Sequence, residues 1–318
     1  MKVWIARPMT ASVEARAREA FADLEIRETN AVMSEAEMLR ALSEFDVVVP
    51  TLGDRFTAEI FAKVAQPRCK LLANFGVGYN HIDVAAAHAA GVQVTNTPGA
   101  VTDATADIAM TLILMSARRA GEGERLVRAG TWEGWHPTQM LGLHATGKTV
   151  GIVGMGRIGQ AIARRCHFGF GMDVQYVARS PKTLDFPATR AEDLAALAGA
   201  VDFLVVAVPG GADTTHLIDA QILAAMKPTG HLINIARGEV VEESALIAAL
   251  ETGSIAGAGL DVYEFEPKVP QALMDRENVT LLPHLGTATE EVRSDMGHMA
   301  LDNVAAFLAD LELPNPVG

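Results

Sequence analysis

The apolar positions of the chain fall into two series of short continuous runs separated by amphipathic stretches. In the first third, VWIA (3–6), VVVP (47–50), KLLANF (70–75) and VQVTNTP (92–98) read as strands, the second stopped by Pro50. Residues 11–22, 57–65 and 82–90 carry helical patterns between them. Strands without a polar face, alternating with helices, predict a parallel sheet covered on both sides. TDATADIAMTLILMSARR (102–119) predicts a long helix with Asp and Thr at its start and Arg at its end, where caps and the helix dipole favour them. The segment 120–145 reads as an irregular arm. It carries Trp132 and Trp135, two of the three tryptophans, and two large aromatics in such a stretch are explained by burial, most economically against a second subunit.

At TVGIVGMG the alternation restarts. Strands are predicted at 149–153, 174–178, 202–208, 231–235, 255–260 and 279–282, with helices at 158–168, 191–198, 219–226, 242–252 and 291–310. The expected fold is α/β, with two Rossmann-like doubly wound parallel-sheet domains. A nucleotide-binding domain (99–285, with an arm at about 120–145) is inserted into a substrate domain (1–98 and 286–318). No internal repeat at a period of about 20–50 residues is present.

Composition narrows the function classes. A length of 318 residues suits two domains, and 49% hydrophobic residues without a low-complexity tract suit packed cores. Thirty-nine acids against 26 bases give a net charge of −13, which disfavours nucleic acid or an anionic membrane as partner. Apolar runs such as Ile108–Ala117 are too short to span a bilayer, and MKVWIARPM lacks the pattern of a signal peptide. Cys69 and Cys166 form neither a CxxC nor a zinc spacing, so neither a disulfide framework nor a metal is expected. A cytoplasmic location is the expectation.

Four glycine motifs require separate readings. Gly142 to Thr149 spells the phosphate-loop pattern GxxxxGK[ST], but a loop enters it and a strand leaves it, the reverse of what cradling a phosphate needs. Gly154-Met155-Gly156-Arg157-Ile158-Gly159 follows a strand and opens an amphipathic stretch, the context of the dinucleotide fingerprint. Gly257-Ala-Gly259 reads as a close-approach turn. So does Gly76-Val77-Gly78, which can still present backbone N–H groups to an anion. An NAD site needs an acid for the ribose 2′-hydroxyl about 20 residues past the glycine loop, at the end of the second strand. Here Val174–Ala178 is followed by Arg179, Ser180 and Lys182, with no acid between Val174 and Lys182. That pattern predicts NADPH as the preferred cofactor, NADH remaining possible.

Three polar signals end predicted strands of the second half: Asn234-Ile-Ala-Arg237-Gly238, Asp261-Val-Tyr-Glu264-Phe-Glu266-Pro267 and Pro283-His284-Leu-Gly286. Singly each has an ordinary surface reading. Together, behind a dinucleotide loop, they supply what hydride transfer to a 2-oxo acid needs. Arg237 can clamp a carboxylate, His284 can act as acid and base near neutral pH, and Glu266 can orient the imidazole and stabilise its protonated form.

With these residues identified, the sequence resembles the D-2-hydroxyacid dehydrogenase family over essentially its whole length. NFGVGYNHID, TPGAVTDATAD, GKTVGIVGMGRIG, INIARGEVV, GAGLDVYEFEP and LPHLGTAT match that family's signatures in order. VTDATAD and the arm RAGTWEGWHPTQMLG make it most similar to the glyoxylate/hydroxypyruvate reductases. The resemblance implies Arg237, Glu266 and His284 as the catalytic residues. It implies substrate contacts from Leu52, Gly53, Val77, Gly78, Arg237 and His284. Cofactor contacts are implied from Thr102, the loop Gly154–Gly159, Arg179, Ser180, Val208, Pro209, Thr214, Ile235, Ala236, Arg237, Asp261, His284 and Gly286. It further implies a homodimer formed through the inserted domain and its arm, and a small 2-oxo or 2-hydroxy acid as ligand. Two other readings share these motifs. One is a non-catalytic NAD(H)-sensing corepressor-like protein, disfavoured by the absence of a Lys/Arg run. The other is a different D-2-hydroxyacid dehydrogenase such as phosphoglycerate dehydrogenase.

Overall fold

The computed structural model describes residues 1–318, which divide into two compact units, 1–101 with 287–318 and 102–286. In the first unit, strands β1 (Val3–Ile5), β2 (Leu24–Ile26), β3 (Val47–Val49), β4 (Leu71–Ala73) and β5 (Gln93–Thr95) pair in parallel in the order β2-β1-β3-β4-β5. Helices α1 (Ala11–Ala20), α2 (Glu35–Glu44), α3 (Ala58–Ala62) and α4 (Val84–Ala89) make the crossovers. Alternation along each strand feeds two cores. Val3, Ile5, Val47, Val49, Leu71 and Ala73 pack on one face of the sheet. Trp4, Val48 and Leu72 pack on the other. Both faces being buried, the strands read as continuous apolar runs.

The second unit opens with α5 (Thr102–Ala117) and α6 (Ala120–Arg128). Its strands are β6 (Thr149–Val153), β7 (Asp173–Val177), β8 (Thr189–Arg190), β9 (Phe203–Val206), β10 (His231–Asn234), β11 (Gly257–Leu260) and β12 (Val279–Leu281). Helices α7 (Arg157–Arg164), α8 (Leu194–Ala200), α9 (Ala220–Ala225), α10 (Glu243–Thr252) and α11 (Gln271–Met274) lie among them in sequence. All pairings are parallel and the order is β12-β11-β10-β9-β6-β7-β8. This is the doubly wound order of dinucleotide-binding sheets with one further strand at the edge. It reverses direction between β6 and β9. The chain then returns to the first unit in α12 (Glu290–Leu308), whose Ala300, Leu301 and Val304 join the core there.

Two expectations need correction. Residues 120–128 are helical, and the irregular stretch begins after Arg128. None of the residues of α6 is buried, so its helical period pointed at no core. Trp132 and Trp135, expected to be covered by a second subunit, are 52% and 79% exposed in the single chain, which leaves that expectation open. The helix expected over 158–168 gives way at Arg165 to a wider π turn ending at Gly169. No helix is long and apolar enough to cross a membrane.

Candidate active site

The loop after β6 is shaped by what its glycines must avoid. A Cβ on Gly154, which sits at φ +101°, would stand 2.7 Å from the Ala207 carbonyl oxygen, and one on Gly159 would stand 2.1 Å from that of Gly154. Gly156 faces open space and is the N-cap of α7. Two positions are therefore closed by packing and the middle one is open in front of a helix N-terminus, which is the arrangement that accepts a pyrophosphate. The residues fit a dinucleotide. The phosphate-loop look-alike does not: Thr149 opens strand β6, and no helix follows Gly147.

Val208 and Pro209 follow β9, across the reversal from that loop, and Thr214 donates its hydroxyl to the Pro209 carbonyl at 2.7 Å. Ile235, Ala236 and Arg237 follow β10, Asp261 follows β11, and His284 and Gly286 follow β12. Thr102 opens α5. The sequence-predicted groups of this unit, apart from Thr102, thus lie at or just beyond the carboxyl ends of its strands, where open α/β sheets bind ligands.

Three local devices hold the reactive side chains. Asn234 donates to the Arg237 carbonyl at 3.0 Å and accepts from the Ala236 N–H at 3.0 Å, fixing the turn that presents Arg237. Burial pulls the Arg237 guanidinium below its ordinary value against the attraction of Glu239 and Glu266, and an arginine starts high enough to stay charged. His284 stands at φ +55°, the left-handed region that a non-glycine residue occupies at a cost of about 1–3 kcal/mol. The strain is held by Asp261, which is 2% exposed. Its backbone carbonyl accepts from the His284 N–H at 2.9 Å, and its carboxylate accepts from the N–H groups of Leu285 and Gly286 at 2.6 and 2.8 Å. Burial raises the Asp261 carboxyl; these N–H groups and His284 oppose the rise.

Glu266 Oε2 lies 2.9 Å from His284 Nδ1, and its Oε1 accepts from the Tyr263 N–H at 3.0 Å. Burial alone would raise this carboxyl, but the His284 hydrogen bond and charge, the Tyr263 N–H and Arg237 together lower it. Glu266 is therefore a carboxylate, which accepts only, so His284 Nδ1 carries the hydrogen. Nε2 is left as the nitrogen that exchanges a proton with a ligand.

At the position expected from the sequence to discriminate the cofactor, Ala178, Arg179 and Ser180 follow β7. Arg179 is exposed and lies 3.7 Å from the carboxylate of Asp213, a partner that the sequence did not reveal. Lys182 Nζ donates to Ser180 Oγ at 3.3 Å.

In the first unit, Leu52 and Gly53 follow β3, and Val77 and Gly78 follow β4. The loop at 76–78 has its carbonyls engaged. Asn74 Nδ2 donates to those of Gly76 and Gly78, Asn96 Nδ2 to that of Val77, and the Thr97 N–H to that of Gly76. The N–H groups of Val77 and Gly78 have no acceptor within the chain. Asn74 is fully buried at the end of β4 and touches His81 Nε2 at 3.0 Å. It is the buried support of this loop that sequence reasoning quoted within a motif but did not single out.

Residues 110–286 match the family described as D-isomer specific 2-hydroxyacid dehydrogenase, NAD binding domain. The chain belongs to the D-2-hydroxyacid dehydrogenase family. It is 43% identical over 312 residues to a glyoxylate reductase of Thermococcus onnurineus, covering 96% of this chain and 92% of that one. It is 34% identical over 316 residues to a glycerate dehydrogenase of Hyphomicrobium methylovorum, covering 98% and 97%. Among solved structures, the NADPH-dependent glyoxylate/hydroxypyruvate reductase of Sinorhizobium meliloti, in complex with NADP and malonate, matches with a TM-score of 0.86 at 37% identity, covering 100% of this chain and 96% of that one. This dehydrogenase accordingly is an oxidoreductase with a Rossmann NAD-binding domain.

Proposed function

We propose that this dehydrogenase reduces glyoxylate, hydroxypyruvate or a similarly small 2-oxo acid to the D-2-hydroxy acid, with NADPH preferred over NADH, as a homodimer. The observation that carries the reading is the His284–Glu266 pair at 2.9 Å. It shares a set of strand ends with Arg237 and with a glycine loop shaped for a dinucleotide. The curated relatives named glyoxylate reductase support the substrate class. NADPH preference is supported by the run Ala178-Arg179-Ser180, which offers a cation and a hydroxyl and no acid.

Gly154–Gly159 with Thr102, Val208, Pro209, Thr214, Ile235, Ala236, Asp261 and Gly286 would hold the dinucleotide, whose chemistry when bound would be a hydride for C2 of the substrate. Arg179 and Ser180 would hold its 2′-phosphate. Arg237 binds the substrate carboxylate and stabilises negative charge growing on the carbonyl oxygen. On the first unit, Val77 and Gly78 offer their N–H groups to a substrate carboxylate, with Leu52 and Gly53 as further substrate contacts. His284 Nε2 gives its proton to the carbonyl oxygen, and Glu266 holds the imidazole through Nδ1 and offsets the positive charge of its protonated form. Initial rates with glyoxylate, hydroxypyruvate and pyruvate, each with NADPH and NADH, test the reading. Expected is turnover of at least one of the first two, faster with NADPH. No turnover of any 2-oxo acid refutes it in favour of a binding protein.

A further inference from the structure

We propose that Arg7 reads the substituent on C3 of the 2-oxo acid and favours substrates carrying a neutral hydrogen-bond acceptor there, a hydroxyl above all. The assignment rests on the 2-oxo acid reading above. The first unit's sheet has the order β2-β1-β3-β4-β5, so its connections reverse direction between β1 and β3. Open α/β sheets bind ligands at the carboxyl ends of the strands flanking such a reversal. Arg7 follows β1 by two residues and Thr51–Asp54 follow β3, so both stand at this point.

The guanidinium is placed there by a built support. Asp54 is fully buried and accepts from Arg7 Nη2 at 3.0 Å, from the N–H groups of Thr51 and Met33 at 2.9 Å each, and from the Thr51 hydroxyl at 3.1 Å. Four donors fix this carboxylate, and it fixes one corner of the Arg7 fork. The Arg7 side chain is 19% exposed, and its Nε–H is buried without a hydrogen-bond partner. Gly53, at φ +97°, lies against the same group: a Cβ there would stand 3.7 Å from Arg7 Nη2. Leu52 beside it is 37% exposed. The guanidinium thus adjoins the two residues of this unit already assigned to the substrate on the β3 side.

The charge of the support selects the ligand. Arg7 with Asp54 is neutral as a pair, so a second carboxylate at the fork would also meet the Asp54 charge. A hydroxyl oxygen accepts from the guanidinium without that repulsion. A 2-oxo acid with a C3 hydroxyl offers such an oxygen, whereas pyruvate offers a methyl group.

The test is kcat/KM for hydroxypyruvate and pyruvate, with oxaloacetate as the dicarboxylate, in wild type and Arg7→Lys. Lysine keeps a cation for Asp54 but lacks the planar fork. Expected is a wild-type preference for hydroxypyruvate over pyruvate of at least about tenfold, the scale of one hydrogen bond to a charged group, collapsing by about that factor in the variant. A purely structural role for the ion pair lowers both rates together and leaves their ratio standing, which overturns the assignment. The wild-type comparison decides even where the variant fails to fold: equal rates for hydroxypyruvate and pyruvate, or a preference for oxaloacetate, also overturn it. Absence of turnover of any 2-oxo acid overturns the functional reading itself, and this assignment with it.

Discussion

Replacing Glu266 by Gln removes one negative charge from the side of His284 while keeping an oxygen within reach of Nδ1. In the wild type the two atoms are 2.9 Å apart and the side chains are 30% and 31% exposed, so solvent screens part of the attraction. The same contact lowers the Glu266 carboxyl against its burial. A hydrogen bond to a charged group contributes about 1.5–3 kcal/mol, and the partial exposure of both side chains argues for the lower end. At about 1.4 kcal/mol per factor of ten, losing the charged contact lowers kcat/KM about tenfold in the variant, and the alkaline fall of the reduction rate moves to lower pH. The sign follows from the chemistry: reduction needs the protonated ring, and the carboxylate favours it. The assay is kcat/KM for glyoxylate from pH 5 to 9 at saturating NADPH. A profile that scales down without moving removes Glu266 from the proton step and leaves it a structural role.

Arg237→Ala and His284→Asn are each expected to lower kcat/KM by about 10²-fold or more with little change in NADPH affinity measured by fluorescence titration; retention of a tenth of wild-type activity refutes the assigned role. Wild type is expected to favour NADPH by roughly 10- to 1,000-fold, and Ala178→Asp combined with Arg179→Ala to reverse or erase that ratio. A wild-type preference for NADH refutes the assignment. Light scattering at micromolar concentration is expected to give twice the chain mass, and Trp132→Ala with Trp135→Ala to weaken the assembly, because two exposed indoles are an apolar surface seeking cover. A monomeric wild type refutes the dimer. Burial pushes His231 down to about 4 from an ordinary 6.5, with Nδ1 2.7 Å from the Ser116 hydroxyl. The unfolded chain therefore takes up this proton first, and about 3 kcal/mol of stability is lost as pH falls from 6.5 to 4. Urea unfolding at pH 7 and pH 4.5 is expected to show a smaller acid loss in His231→Gln, and an equal loss refutes the linkage.

What could be read from the chain followed from how strongly each element is buried. Strands such as Val47–Val49 and Phe203–Val206 are covered on both faces, so their apolar runs stand out. β2, at Leu24–Ile26, is only half-buried at the sheet edge with Glu25 at its centre, and it leaves no such run. α2 did leave a signal. Ser34 caps it and Glu37 returns the bond to the Ser34 N–H, a capping box three residues apart that the apolar pattern alone passes over. Trp132 and Trp135 show the limit of reasoning within one chain. Their size argued for burial, and burial against a second copy cannot be expressed by a single chain's own contacts.

The same contrast runs through the site. Arg237, Glu266 and His284 were legible because each lies within a few residues of a strand end in a motif of unusual polarity. Asp261 was visible as a strand-end acid, but its work was not. That its carboxylate takes two successive N–H groups and holds His284 at φ +55° depends on β11 and β12 lying side by side, a pairing of segments more than 20 residues apart. Arg7 and Asp54 are further removed still, 47 residues apart in sequence and joined only because β1 and β3 are neighbours. An arginine before a proline reads as a surface charge until the strand order is known. Once the order places it where the sheet's connections reverse, with a buried acid holding one corner of its fork, the same residue becomes a candidate for reading the substrate. The local chemistry of this dehydrogenase is written in its motifs, whereas the groups that hold and tune that chemistry are written in its topology.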